Sequence, residues 1–179
     1  DSTAFSGVFL DVQAGTAIDA WGGQDTVLGF ERFRDSVFND TLLGSSGEDR
    51  FTITRGADSV DGRDGDDRVD FSEGEKWGAA RGVNVNLVTG IAIDSGKSTD
   101  RLTSIKEVIT TSSNDTITGS GADEMFMTGA GVDVIDGGAG FDRLAFWRVG
   151  ENDDGGHGIN INLSQTTSVI DDGYGNSEN

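Results

Sequence analysis

Cysteine and proline are both absent from the 179 residues, and histidine occurs once, at His157. Without cysteine there is no disulfide framework, no thiolate nucleophile and no thiolate metal site. Without proline the 28 glycines do not read as a disordered linker; they point to many tight turns that need positive φ. No run approaches the roughly 18 apolar residues of a membrane span, and the opening DSTAFSGVFLDV has neither a basic start nor a long apolar stretch. It also lacks an initiating Met, so the sequence is expected to be an excised or processed part of a longer chain. Basic residues are scarce: 13 Lys and Arg stand against 32 Asp and Glu, for a formal charge of −19. No basic stripe is present to hold phosphates, so nucleic acid is not an expected partner. Leu, Ile, Val and Phe make up about a quarter of the chain. The charge opposes compaction of so lean a core, and something positive is expected to help it fold.

What is present is periodic. Asp40, Asp49, Asp58 and Asp67 are nine residues apart, and the same step returns at Asp115, Glu124, Asp133 and Asp142. Two places after each acid stands an apolar residue: Leu42, Phe51, Val60 and Val69, then Ile117, Phe126, Ile135 and Leu144. A nine-residue period belongs neither to a helix nor to an ordinary strand. It belongs to a wound ladder of turns and short strands, which makes the expected fold all-β. Each step divides into six turn residues and three strand residues, and two steps make a coil of eighteen. Asp40 is therefore expected to stack with Asp58, Asp49 with Asp67, Asp115 with Asp133 and Glu124 with Asp142.

A longer repeat encloses the short one. Residues 7–70 overlie 82–145 without a gap: GVFLDVQAGTAIDA falls on GVNVNLVTGIAIDS, and NDTLLGSSGEDRF on NDTITGSGADEMF. This divides the chain into a first unit at 1–81 with its nonapeptide block at 35–70, a second at 82–157 with its block at 110–145, and a truncated start of a third at 158–179. Each unit opens on strict alternation (Val8, Leu10, Val12; Val83, Val85, Leu87; Ile159, Ile161, Leu163), the period of a half-buried strand. A second short apolar stretch follows (Ala17, Ile18; Ala92, Ile93), then a connector carrying Asp25 or Asp100. Phe30 and Phe33 align with Ile105 and Val108, and their spacing of three admits either a short helical turn or another bend. Segments 72–81 and 147–157 read as loops.

Stacking carboxylates at strand spacing, about 4.8 Å, is repulsive unless a cation sits between them. Ca²⁺ fits best, because it takes six to eight oxygens in irregular geometry, which Gly turns supply through carbonyls alongside two carboxylates. Zn²⁺ wants His or Cys, and Mg²⁺ demands near-octahedral geometry. The expected metal-site residues are the acids of the ladder together with Asp64, Asp123, Gly44, Gly62, Gly119, Gly129, Gly137, Gly138 and Gly140. These glycines are expected to use positive φ to aim carbonyls between turns.

At this level of detail the chain resembles the repeats-in-toxin (RTX) family, whose haemolysin-type calcium-binding repeat reads GGxGxDxUx with U a large apolar residue. GGAGFDRLA at 137–145 matches at every fixed position, and GRDGDDRVD at 62–70 departs only at the second Gly. The resemblance implies a right-handed parallel β-roll, a solenoid with Ca²⁺ in the turns and the U residues inside. It also implies export from a Gram-negative bacterium by a type I secretion apparatus, to the extracellular space or cell surface, with calcium as the folding switch. Some turns depart from the pattern. Those ending at Asp40 and Asp115 (DSVFND, TTSSND) lack the glycines and are expected to be poorer sites. Glu124 and Ala122 replace Asp and Gly, which leaves that site distorted, weakened or empty, with Asp123 beside it. Asp64 is expected to add a ligand to the Asp49/Asp67 site.

No catalytic constellation accompanies the ladder. His157 sits in a Gly-rich loop and reads as a solvated residue, and the periodic Asp pairs are better explained as ligands than as a glycosidase dyad. Trp21, Trp77 and Trp147 suit either capping of an exposed coil end or stacking on sugars. Arg63, Arg68 and Arg143 are expected to offset charge on the outer strand face. No EF-hand loop and no phosphate loop is present. The function expected is a non-catalytic calcium-binding module of a larger secreted protein, partnered by calcium and by neighbouring repeat units. The alternative is a polysaccharide-binding or adhesive module, since alginate epimerases and surface adhesins carry similar repeats.

Overall fold

Residues 6–74 and 81–146, and the backbone of 160–161 and 170–171, are described in the computed structural model. His157, Trp77, Trp147 and most of the third copy lie outside the described residues. Strands of the first unit are β1 (Phe9–Asp11), β2 (Thr16–Ile18), β3 (Gln24–Thr26), β4 (Arg32–Arg34), β5 (Thr41–Leu43), β6 (Arg50–Thr52), β7 (Ser59–Asp61) and β8 (Arg68–Asp70). Those of the second are β9 (Asn84–Asn86), β10 (Ile91–Ile93), β11 (Thr99–Thr103), β12 (Glu107–Ile109), β13 (Thr116–Thr118), β14 (Met125–Thr128), β15 (Val134–Asp136) and β16 (Arg143–Phe146). Each begins seventy-five residues after its counterpart, so the displacement seen in the sequence is also the displacement of the strands. A last antiparallel pair joins β17 (Asn160–Ile161) to β18 (Ile170–Asp171).

Three residues suffice for each ladder strand because only the central side chain is inward on the pleat. The nine-residue steps alternate between two sheets, so β5 pairs in parallel with β7, and β6 with β8, eighteen residues on. The second sheet is six parallel strands in the order β16, β14, β12, β8, β6, β4. Its register puts Phe33, Phe51, Val69, Val108, Phe126 and Leu144 on one line. The first sheet has ten strands, parallel wherever ladder strands meet and antiparallel within the meanders β1–β2–β3 and β9–β10–β11. Here Leu10, Leu42, Val60 and Leu102 align, as do Ala92, Val85, Ile117 and Ile135.

Those three lines are the core. Phe51, Val69, Val85, Val108 and Ile117 are fully buried, while Ile135 and Leu144 near the last ladder turns are half-buried. Phe51 stacks on Phe33 with ring centroids 5.7 Å apart. Neither a helical turn nor a bend holds Phe33 and Val108: Phe33 lies in strand β4 and Val108 in strand β12. Their neighbours diverge, since Phe30 is exposed and Ile105 is buried. Ile53 and Phe71 are also buried, off the nine-residue pattern, at corners where Ile53 N–H donates to Asp70 O and Phe71 N–H to Ile109 O.

The two nonapeptide blocks are joined by shared sheets. From β8 the chain returns through β9 and β10, and β11 then docks in parallel on β7 while β12 docks on β8. Arg68 and Glu107 form an ion pair across that join. Because Phe51 is a fully buried large side chain in the second sheet, Phe51→Ala is expected to cost about 3–5 kcal/mol. Thermal melts followed by circular dichroism in excess calcium would measure it, and a loss below about 1 kcal/mol would mean that this layer is loosely packed.

Candidate metal centre

The ladder acids occupy the last turn position before each strand, and their burial is nearly complete: Asp40, Asp49, Asp58, Asp67, Asp115, Glu124 and Asp133 are all at most 3% exposed. In each block the first two acids donate their backbone N–H to the carboxylate of the acid one coil further on. Asp40 N reaches Asp58 Oδ1 at 2.8 Å, Asp49 N reaches Asp67 Oδ1 at 2.8 Å, Asp115 N reaches Asp133 Oδ1 at 2.8 Å, and Glu124 N reaches Asp142 Oδ1 at 3.1 Å. The four expected stacks are present. One column continues across the join, where Asp58 N donates to Asp100 Oδ1 at 3.0 Å. In the other, Lys106 and Glu107 donate to Asp67 O, and Lys106 Nζ pairs with the exposed Asp66 at 2.8 Å.

The second carboxylate oxygen sorts the sites into two kinds. Asp40 binds Ser36 with both oxygens and also accepts the Val8 N–H. Asp115 does the same with Thr111 and Val83, and Glu124 with Ser120. These are the turns expected to be poorer sites, and their carboxylates are engaged within the protein. By contrast, Asp49 Oδ1, Asp58 Oδ2 and Asp67 Oδ2 are buried and accept no hydrogen bond, as do Asp94 Oδ2 and Asp100 Oδ2 in the connector. A buried, unpartnered carboxylate oxygen is costly unless a proton or cation meets it. Asp35, Asp40 and Asp58 bring carboxylate oxygens within 4.8 Å of one another.

Asp35, Asp94 and Asp100 escaped the sequence reading because they stand off the nine-residue register. The hydroxyls of Ser36, Ser45, Thr111 and Ser120 were likewise missed, although each precedes its ladder acid by four residues and that spacing was available as a signal. Asp123 and Asp64 lie outside the buried columns. Asp123 is exposed and brackets the next coil by accepting Phe141 N–H at 2.8 Å, and Asp64 is exposed.

The glycines divide by turn position, and for some the physical reason differs from the one expected. Fourth-position Gly56, Gly65, Gly131 and Gly140 have φ of 117°, 124°, 129° and 128°, and second-position Gly138 has 84°. Gly44, Gly62, Gly119, Gly129 and Gly137 are not in that region. Close approach requires glycine there: a Cβ on Gly44 would strike Gly62 O, one on Gly62 would strike Asp67 and Ser104 O, and one on Gly119 would strike Gly137 O. Gly129 is held against Thr111 O and Gly137 against the Asp142 carboxylate in the same way. Arg63, which replaces the second glycine of the motif, keeps the left-handed backbone at φ 69°. Its guanidinium offsets that strain by binding Asp11 at 2.8 and 2.9 Å and Gly44 O at 2.6 Å. The same contact holds the Asp11 carboxyl below the usual carboxylate range.

Burial pushes Asp58 up to about 8, Asp100 to about 7, and Asp35 and Asp67 to about 6. Neighbouring carboxylates add to each shift: Asp100, Asp35 and Asp40 act on Asp58, and Asp94 and Asp35 on Asp100. A raised carboxyl pKa means that the fold retains protons which the unfolded chain releases near its ordinary value of 3.8. Without cations these groups therefore favour the fold below that value, and the benefit is lost as pH rises through about 6 to 8. In chelator, the β signal in circular dichroism is expected to be larger at pH 5 than at pH 8. Excess calcium is expected to invert that order, because it binds the deprotonated form. The same order with and without calcium would mean that the buried carboxylates are not where calcium acts.

Among the described residues, the side chains gathered at these turns offer carboxylate and hydroxyl oxygens, which fits a hard divalent ion better than a thiolate- or imidazole-bound metal. Comparison with curated proteins gives no match. The model of the RTX calcium-binding nonapeptide repeat matches four copies, over residues 28–52, 54–75 and 109–144. Those segments contain all eight ladder acids with the glycines stacked beside them, and the ion implied is Ca²⁺. Over these segments the chain carries RTX calcium-binding nonapeptide repeats.

Proposed function

We propose that the chain is a calcium-triggered folding module and spacer of a larger secreted protein, built as a right-handed parallel β-roll from two units at 1–81 and 82–157, with a third beginning at 158. The observation that carries this reading is the set of buried carboxylate oxygens with no partner, stacked coil on coil in a chain of net charge −19. Ions that only the coiled state can bind contribute their binding energy to folding. Low calcium inside a cell then keeps the chain extended, and millimolar calcium outside folds it. The match to RTX repeats supports an extracellular or cell-surface location in a Gram-negative bacterium, with passage through a type I secretion apparatus while unfolded.

In this reading the ligands are the ladder carboxylates Asp49, Asp58, Asp67, Asp133 and Asp142 with carbonyls of the stacked glycine turns. Asp40, Asp115 and Glu124 contribute less, because their own turns already engage them. Asp64 and Asp123 serve as supplementary ligands at the exposed rim. Repeat units stack through the open strand edges, as β11 and β12 do on β7 and β8.

Calcium titration followed by circular dichroism tests the folding switch directly. The chain in chelator is expected to lack β structure at pH 7.5 and to gain it at millimolar calcium, and an unchanged spectrum would refute the switch. Asp67→Ala is expected to raise the calcium midpoint by roughly tenfold. Asp64→Ala, at the rim, is expected to raise it less. Equal midpoints for Asp67→Ala and the parent chain would remove Asp67 from the ligand set.

A further inference from the structure

The seam between the two units gathers acids that the nonapeptide pattern does not supply. Asp58 closes the column of the first unit. Asp100, on β11 of the second unit, accepts its N–H at 3.0 Å. Asp35, beside β4, has its carboxylate within 4.8 Å of those of Asp58 and Asp40. Asp94, at the end of β10, accepts Ser98 N–H at 2.7 Å through Oδ1. Asp94 and Asp100 lie outside the segments that match the repeat family.

A second observation marks this cluster as more than acidic surface. Asp58, Asp94 and Asp100 are 2, 3 and 0% exposed, and each buries an Oδ2 that accepts no hydrogen bond. After burial, the influences that raise Asp100 are the charges of Asp94 and Asp35. One shared proton relieves a single pair of carboxylates, such as Asp35 with Asp58, and leaves the others facing one another. A divalent ion relieves several at once, and oxygen donors of mixed geometry suit calcium.

We propose that Asp35, Asp40, Asp58 and Asp100, with Asp94 adjoining them, form a calcium site at the seam, which shares Asp40 and Asp58 with the ladder and is completed by acids the nonapeptide turns do not supply, and that its ion docks the connector of the second unit onto the ladder of the first. The proposal rests on the calcium-dependent folding proposed above. It adds that calcium couples the units as well as stacking turns within each. Asp25, the counterpart of Asp100 in the first unit, is exposed on β3, where no ladder strand docks among the described residues.

The test counts calcium bound to the full chain by equilibrium dialysis with atomic absorption, and follows unfolding in calcium by calorimetry. Asp100→Asn keeps an oxygen for the Asp58 N–H and removes the charge. It is expected to bind one ion fewer, to need roughly tenfold more calcium to fold, and to split a single unfolding transition into two. Asp35→Asn, on the first unit's side, is expected to lose the same ion and serves if Asp100→Asn fails to fold. Asp25→Asn is expected to keep the full count. Parent-level ion counts in both Asp100→Asn and Asp35→Asn overturn the proposal, as does loss of the same ion from Asp25→Asn. An unchanged count with a more stable chelated chain also overturns it, and assigns the cluster to proton sharing. Failure of the parent chain to bind any calcium overturns the folding reading as well, whereas loss of an ion from Asp67→Asn alone leaves that reading intact and removes only the seam site.

Discussion

A carboxylate placed one coil ahead of a backbone N–H is the interaction on which the rest depends. Asp58 reaches Asp40, Asp67 reaches Asp49, Asp133 reaches Asp115 and Asp142 reaches Glu124. Each bond satisfies a buried donor and fixes the height of one turn over the next, which in turn sets the parallel register of the strands that follow. The cost is a column of buried charge. Asp58 and Asp67 commit one oxygen to the coil before and leave the other without a protein partner, and Asp49 gives one oxygen to Ser45 of its own turn and leaves the other open. The architecture therefore contains its own demand for a cation.

The core is too thin to override that demand. Each ladder strand contributes one inward apolar side chain, and the apolar lines of the two sheets meet as a narrow seam. Much of the remaining stability must come from regular stacking, in which small residues let turns approach and local ion pairs absorb local strain. Arg63 illustrates the second device, holding a left-handed backbone while binding Asp11 and Gly44. Gly44 and Gly62 illustrate the first, where a Cβ would strike the neighbouring turn.

Much of this was legible in the chain. The step of nine gave the turn-and-strand division, the inward residues Leu42 to Leu144, and the stacking of Asp40 with Asp58. The displacement of seventy-five gave the equivalence of every strand from β1 to β16. Periodicity is readable because each repeat meets the same environment, so the same side chain is required at the same phase. Ile53, Phe71, Asp35, Asp94 and Asp100 were not legible in this way, since each serves a corner or a join that occurs off the ladder's phase. The role of the first-position glycines was also misassigned: their φ is ordinary, and only the stacked neighbour shows why no side chain fits.

The sequence by itself determined the all-β repeat, the inward face and the acid columns, because all three follow from spacing along the chain. Tertiary structure decided which carboxylates are satisfied by their own turns and which are left open. It also decided that β11 and β12 continue the sheets of the preceding unit, carrying Asp100 onto Asp58. The second outcome depends on contacts between residues some forty positions apart, through a meander whose path no local pattern encodes.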